Sequence, residues 1–212
     1  AGALRLHQRG IKCIGLPGTI DNDIAGTDYT IGFDTCVNTV VEAIDKLRDT
    51  CGSHRRCAVV EVMGRYCGDI ARAAGLATGA EFIVTNTENN DLQTILDQTK
   101  HFKEAGKRHP VIIVTEHLFD VLDLAKKIED YSGMETRATI LGHIQRGGTP
   151  SCSDRILASR LGLAAVEAIM QGKSGVCLGI QSNEIVATPF EEVIGKYKTI
   201  YSELDELIKI LS

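Results

Sequence analysis

Four short polar stretches stand directly after apolar runs in this 212-residue sequence. They are Thr19-Ile20-Asp21-Asn22-Asp23, Met63-Gly64-Arg65, Glu116-His117 and His143-Ile144-Gln145-Arg146. Arg56 and Arg137 add guanidinium groups at the starts of apolar runs. A single arginine at a strand edge is ordinary solvated surface. Arg56, Arg65, Arg137 and Arg146 together, all near the ends of buried strands, suit phosphate, because the guanidinium fork matches phosphate oxygens in charge and geometry. Gly147-Gly148 would let backbone amides approach an anion, although a plain flexible turn reads the same way. Carboxylates beside a phosphate-binding set suggest phosphoryl transfer, which needs charge neutralised, groups held in line and a base for the attacking hydroxyl. Asp21 is the candidate base, with Asp23 two residues on; a neighbouring carboxylate raises its proton affinity and nearby arginines lower it. The bland alternative for Asp-Asn-Asp is a turn.

These loops need strands to carry them. Ile11, Cys13 and Ile14 make Gly10 to Gly15 a short apolar strand, which Pro17 and Gly18 then stop. Further strands are expected over Cys57–Val62, Phe82–Val84, Val111–Thr115, Thr136–Leu141, Val176–Ile180 and Val186–Thr188. Between them the 3.6-residue pattern predicts helices. The first is capped by Thr30, runs to Arg48 and has Gly52 as its stop. Others cover Ile70–Ala77, Leu92 to about Gly106 and Val121–Tyr131, and a further one is capped by Ser153 and ends near Gln171. Leu204, Leu207, Ile208 and Leu211 put an apolar stripe on a last helix. Such alternation, with near-continuous apolar strands, implies an α/β fold of mostly parallel sheets covered by helices. In open α/β sheets, ligand sites gather at the strand tips.

The composition sets bounds. Hydrophobic residues make up 43 % and charged residues 24 %, ordinary for a folded chain, and the core must come from Val, Ile, Leu and Ala because Trp is absent. A formal charge of -5 argues against a general nucleic-acid binder. The seven cysteines are odd in number and lack Cys-x-x-Cys spacing, which reads as free thiols in a reducing cytosol. No basic-then-apolar leader and no apolar run approaching ~18 residues is present, so a cytoplasmic protein without a membrane partner is expected. Ala1 to Leu6 reads as the last turns of a helix already under way, with Gly10 as its stop, as if the chain began in mid-domain.

Five stretches together resemble one family, the bacterial ATP-dependent 6-phosphofructokinases. They are Pro17-Gly-Thr-Ile-Asp-Asn-Asp23, Val62-Met-Gly-Arg-Tyr-Cys-Gly68, Thr115-Glu-His117, Gly142-His-Ile-Gln-Arg-Gly-Gly148 and Arg155-Ile-Leu-Ala-Ser-Arg160. The likeness runs from Ala1 to about Tyr197. It implies a glycolytic kinase moving the γ-phosphoryl group of ATP, with Mg2+, to the 1-hydroxyl of fructose 6-phosphate. Asp21 would take the hydroxyl proton, Asp23 would hold the sugar and set that base, and Thr19 and Arg65 would contact the group in flight. Met63, Gly64 and Glu116 would line the sugar pocket, and His143 and Arg146 would hold the 6-phosphate. Arg56 and Arg137 would reach the same phosphate in a neighbouring subunit, so a homo-oligomer, a tetramer in the family, shares the site. Arg48, Gly79, Glu81 and Lys107 would belong to an effector site for ADP or phosphoenolpyruvate; Arg48 and Lys107 also read as helix-end cations favoured by the dipole.

The resemblance also implies two interleaved Rossmann-like domains. The larger would hold 1–32 and 145–195, and the smaller 33–144 and 196–212. The family's glycine-rich first segment and Gly-Gly-Asp-Gly-Ser loop, which hold the ATP phosphates and the magnesium aspartate, are not among these 212 residues. The larger domain is therefore expected to lack its first strands, and the chain by itself to be inactive. Two other readings stand beside this one: a pyrophosphate-dependent kinase, and a non-catalytic module binding sugar phosphate or effector. The pyrophosphate-using branch typically carries lysine where this chain has Gly18, which favours ATP, unless Gly18 only serves the turn.

Overall fold

The computed structural model describes residues 2–86, 91–196 and 207. The last helix expected around Leu204–Leu211 lies outside these residues, apart from Leu207. The chain divides into two compact units, Ala1–Thr35 with Thr149–Ile200, and Cys36–Gly148 with Tyr201–Ser212.

The second unit is a four-stranded, all-parallel sheet in the order β3-β4-β2-β5. Its strands are β2 (Cys57–Val62), β3 (Phe82–Val84), β4 (Val111–Thr115) and β5 (Thr136–Ile140). All of β4, and β2 except Glu61, is buried, as a strand sandwiched between helices must be. The covering helices are α2 (Phe33–His54), α3 (Asp69–Thr78), α4 (Leu92–Glu104) and α5 (Val121–Ser132). Asp91 and Asp120 cap α4 and α5, each accepting from backbone amides in the first turn. Val59, Ile112 and Val114 pack with Ile95, Leu124 and Ile128 in one cluster.

The first unit holds α1 (Gly2–Gln8), β1 (Ile14–Gly15), α6 (Cys152–Met170), β6 (Val176–Gln181), β7 (Glu184–Pro189) and α7 (Phe190–Val193). Its sheet runs β1-β6-β7, with β1 parallel and β7 antiparallel to β6. Leu157 and Leu161 of α6 pack on Leu178 and Ile180 of β6.

Four sequence expectations are corrected. The strand expected from Gly10 shrinks to Ile14–Gly15, since Ile11 is exposed and the Cys13 amide donates to the Ser174 hydroxyl, 3.0 Å. Thr30 does not cap α2; its hydroxyl donates to the Thr19 carbonyl, 2.7 Å. Gly52 does not stop that helix, which runs on to His54, and Arg55 takes the positive φ instead. Ser151, not Ser153, caps α6, its hydroxyl accepting from the Asp154 amide at 3.2 Å. The polar loop carrying His143 and Arg146 is also more ordered than expected, because Gly142–Arg146 forms a 3-10 helix.

Candidate active site

In the first unit, residues 17–23 are held by the strand-like segment 27–31. Ile31 donates its amide to the Pro17 carbonyl at 2.8 Å, and Gly18 forms an isolated parallel bridge with Ile31. Asn22, 1 % exposed and at φ 55°, is the pivot. Its Oδ1 accepts from the Thr30 amide at 3.0 Å, and its Nδ2 donates to the Asp28 carbonyl at 3.3 Å. Asp21 and Asp23 flank this buried residue and stay half-buried. The Asp21 amide donates to the Thr19 hydroxyl at 3.2 Å. Thr19, Asp21 and Asp23 thus share one clamped loop just past β1.

In the second unit, the C-terminal tips of β2, β4 and β5 gather a second group. Glu116, next after β4, accepts from the Gly64 amide at 3.2 Å and the Arg65 amide at 2.8 Å, both on Oε1. Gly64 has φ 142°, and a Cβ there would collide with the Cys67 carbonyl, so glycine is required. Gln145 is 1 % exposed; its Oε1 accepts from the Met63 amide at 3.0 Å and its Nε2 donates to the Gly142 carbonyl at 3.0 Å. Gln145 therefore ties the 3-10 helix carrying His143 and Arg146 to the loop carrying Met63, Gly64 and Arg65. Arg65, His143 and Arg146 are exposed around this framework. Glu61, one residue from the end of β2, has its carboxyl raised above the usual range by burial and then by Glu116.

Arg56 and Arg137 lie at the other end of the same sheet. Arg56 precedes β2 and Arg137 is the second residue of β5, in register with Ala58. Six residues of β2 separate Arg56 from the tip, roughly 20 Å at ~3.3 Å per residue. Within one chain they cannot join Arg65 and His143. They share Glu135 instead: Arg56 pairs with it at 2.9 Å, and Arg137 donates to the same oxygen and lies 3.5 Å from Glu129. The hydrogen bond from Arg56 holds the Glu135 carboxyl below its ordinary value.

Three of the four expected effector residues come together. The Arg48 guanidinium donates to the Gly79 carbonyl at 2.7 Å and lies 3.9 Å from the Glu81 carboxylate, whose Oε2 accepts from the Val111 amide. The Lys107 ammonium instead sits over the Phe102 ring at 5.1 Å.

Asn22, Gln145 and Glu135 were not singled out by the sequence reading. An asparagine between two aspartates, and a glutamine three residues after Gly142, were the signals available. Among the described residues no three His, Cys, Asp or Glu side chains cluster to hold a metal.

A helix-covered parallel sheet with polar loops at its strand tips defines an α/β protein of the kind that binds ligands outside the carboxyl ends of its strands. The phosphofructokinase family model matches residues 1–169, and the chain belongs to that family. ATP-dependent 6-phosphofructokinases of Bacillus thuringiensis (strain Al Hakam) and Bacillus cereus (strain AH187) are each 51 % identical over 211 residues. That match covers 100 % of this chain and 66 % of theirs. Among solved structures, phosphofructokinase from Saccharomyces cerevisiae is 34 % identical with TM-score 0.78, over 95 % of this chain and 28 % of that one. Pyrophosphate-dependent phosphofructokinase from Nitrosospira multiformis shares the fold with TM-score 0.85 at 22 % identity, over 99 % and 64 %.

Proposed function

We propose that this chain carries the sugar-phosphate side of an ATP-dependent 6-phosphofructokinase, acting on fructose 6-phosphate. The observation that carries the reading is 51 % identity across the whole chain to enzymes of that name. The chain spans 66 % of those relatives.

Asp21 accepts the proton of the sugar 1-hydroxyl as its oxygen attacks the γ-phosphorus of ATP, and ADP leaves. Asn22 fixes the loop from inside, so Asp21 and Asp23 hold their directions without reorganising during the reaction. Thr19 and Arg65 stabilise charge on the phosphoryl group in transit. Glu116 and Gln145 hold the loop in which Met63, Gly64 and Arg65 meet the sugar, and His143 and Arg146 grip its 6-phosphate. Mg2+ neutralises phosphate charge when bound. Among the described residues no three His, Cys, Asp or Glu side chains cluster to hold it. Arg56 and Arg137 serve a neighbouring subunit, and Arg48, Gly79, Glu81 and Lys107 serve an effector such as ADP or phosphoenolpyruvate. The two compact units support a division into the family's larger and smaller domains.

For the donor, Gly18 supports ATP over pyrophosphate. Its φ is not positive, and an added Cβ meets nothing within 4 Å, so neither strain nor crowding demands glycine there. The open space around Gly18 supports room for a nucleotide there.

Two measurements test the reading. In a polypeptide extended to the relatives' full length, Asp21→Asn is expected to lower kcat by about 10²–10⁴ with fructose 6-phosphate still binding. Near-normal turnover, or a preference for pyrophosphate over ATP, overturns it. The 212-residue chain alone is expected to bind fructose 6-phosphate by calorimetry without turning it over. A rate in the ordinary kinase range of ~1–100 s⁻¹ contradicts that expectation.

A further inference from the structure

The turn that follows β2 is held by its backbone from both flanks. In the sheet, β2 lies between β4 and β5. Glu116, just past β4, takes the amides of Gly64 and Arg65 on one oxygen, and Gln145, past β5, takes the amide of Met63. Three successive amides of one turn are thus bound by two side chains that arrive from neighbouring strand tips. A backbone amide is an obligatory donor, so each bond restrains the chain itself. The shape being held is a costly one. Arg65 has φ 51°, a left-handed conformation that a residue with a side chain enters at a cost. The Thr115 hydroxyl, fully buried and close beside Gly64, has no hydrogen-bond partner among the described residues, which costs free energy again. Such a turn keeps its shape only while its restraints hold.

One of those restraints begins on the element that carries His143 and Arg146. In a 3-10 helix, side chains three residues apart stand one above the other, so within Gly142–Arg146 these two share a face. Both are exposed, and one anion can touch both. Gln145, between them in sequence, is turned inward and 1 % exposed. Its Nε2 donates to the Gly142 carbonyl at the head of the same helix, while its Oε1 accepts from the Met63 amide at the head of the turn, each at 3.0 Å. A single buried amide therefore joins the two elements, with both of its ends on backbone.

We infer that Gln145 is a positioning residue that couples these two parts of the site. A phosphate on His143 and Arg146 fixes the 3-10 helix, and through the Gln145 amide it fixes the turn that presents Arg65. The consequence is specificity. Binding energy from a phosphate at one end of the sugar then improves the placement of a group acting at the other end, so a sugar without that phosphate forfeits turnover as well as affinity. The inference rests on the proposed phosphate-binding role of His143 and Arg146.

Amide hydrogen exchange tests it on the 212-residue chain, with inorganic phosphate as the probe and mass spectrometry following residues 62–68 and 142–147. The readout is the ratio of exchange rates without and with phosphate, which a turn merely loosened in both states does not change. In the unaltered chain phosphate is expected to slow both segments at least fivefold. In Gln145→Met it is expected to slow 142–147 alone. Gln145→Glu, whose carboxyl is pushed by burial towards the neutral form that can make both bonds, is expected to restore the response at 62–68. Arg146→Ala is expected to abolish both responses. Slowing at 142–147 with none at 62–68 in the unaltered chain overturns the inference and leaves the phosphate role of His143 and Arg146 standing, whether or not the variants fold. No slowing in either segment removes that role, and the inference with it. A response at 62–68 that survives Gln145→Met or Arg146→Ala also overturns the coupling.

Discussion

Asn22 spends both ends of its amide on the backbone of its own unit, so the carboxylates on either side inherit a fixed direction without being buried themselves. Glu116 plays the matching part in the other unit, where one oxygen binds the amides of Gly64 and Arg65. Its negative charge has a consequence for Glu61. Burial first, and Glu116 second, raise the Glu61 carboxyl above its unfolded value, so the folded chain holds that proton more tightly than the unfolded one. A group of this kind leaves stability intact below its unfolded value, ordinarily ~4.3, and takes stability away as pH rises through the higher folded value. Glu61→Gln is therefore expected to raise the urea midpoint at pH 7 and to leave it unchanged near pH 4. Equal shifts at both pH values, by denaturation followed with circular dichroism, would contradict the assignment.

Among the elements, α2 owes its start to a residue more than a hundred positions away. The Asp154 carboxylate, 3 % exposed, accepts from the Gly32 amide at 2.8 Å, from the Thr35 amide at 2.8 Å and from the Thr35 hydroxyl. This anion sits where the helix leaves its first amides unpaired and its dipole is positive. Asp154→Ala is expected to cost about 2–3 kcal/mol, since it removes a charged cap and strands buried donors. Chemical denaturation reads this directly, and a loss within ~0.5 kcal/mol would show the cap to be dispensable. The same contact explains what the sequence left hidden. Thr30 has a capping residue type but stands three residues before the first residue of α2, a tertiary partner takes the role, and no local pattern announces a partner at 154. Gly52 failed as a stop because a helix tolerates one glycine at about 1 kcal/mol, and the left-handed turn fell on Arg55. By contrast β2, β3 and β4 were legible to the residue, because strands covered on both faces show as near-continuous apolar runs. The loops bearing Asp21, Arg65, Glu116 and His143 were legible too, since each follows such a run. The residues that hold those loops, Asn22 and Gln145, were not, because a buried amide looks like any other in sequence.

For the whole molecule, the placement of the arginines is the most informative feature. Arg56 and Arg137 stand at the entry ends of strands whose exit ends carry Arg65 and His143, and a rigid parallel sheet keeps the two sets roughly 20 Å apart. If both sets grip one sugar phosphate, as proposed, they come from different subunits, and each site draws on two chains. Glu135 then has a role in the free chain: it pairs both arginines until a phosphate competes for them. This yields a mixing experiment on full-length polypeptides. One chain carries Arg56→Ala with Arg137→Ala, and the other carries Asp21→Asn; each alone is expected to be inactive or nearly so. When the two are dissociated, mixed in equal amounts and reassociated, sites with the intact base from the first and intact arginines from the second should return. Random pairing across a symmetric interface restores roughly a quarter of the sites. If the arginines acted within their own chain, no site in the mixture would hold both an intact base and intact arginines, and activity would stay at the level of the separate variants.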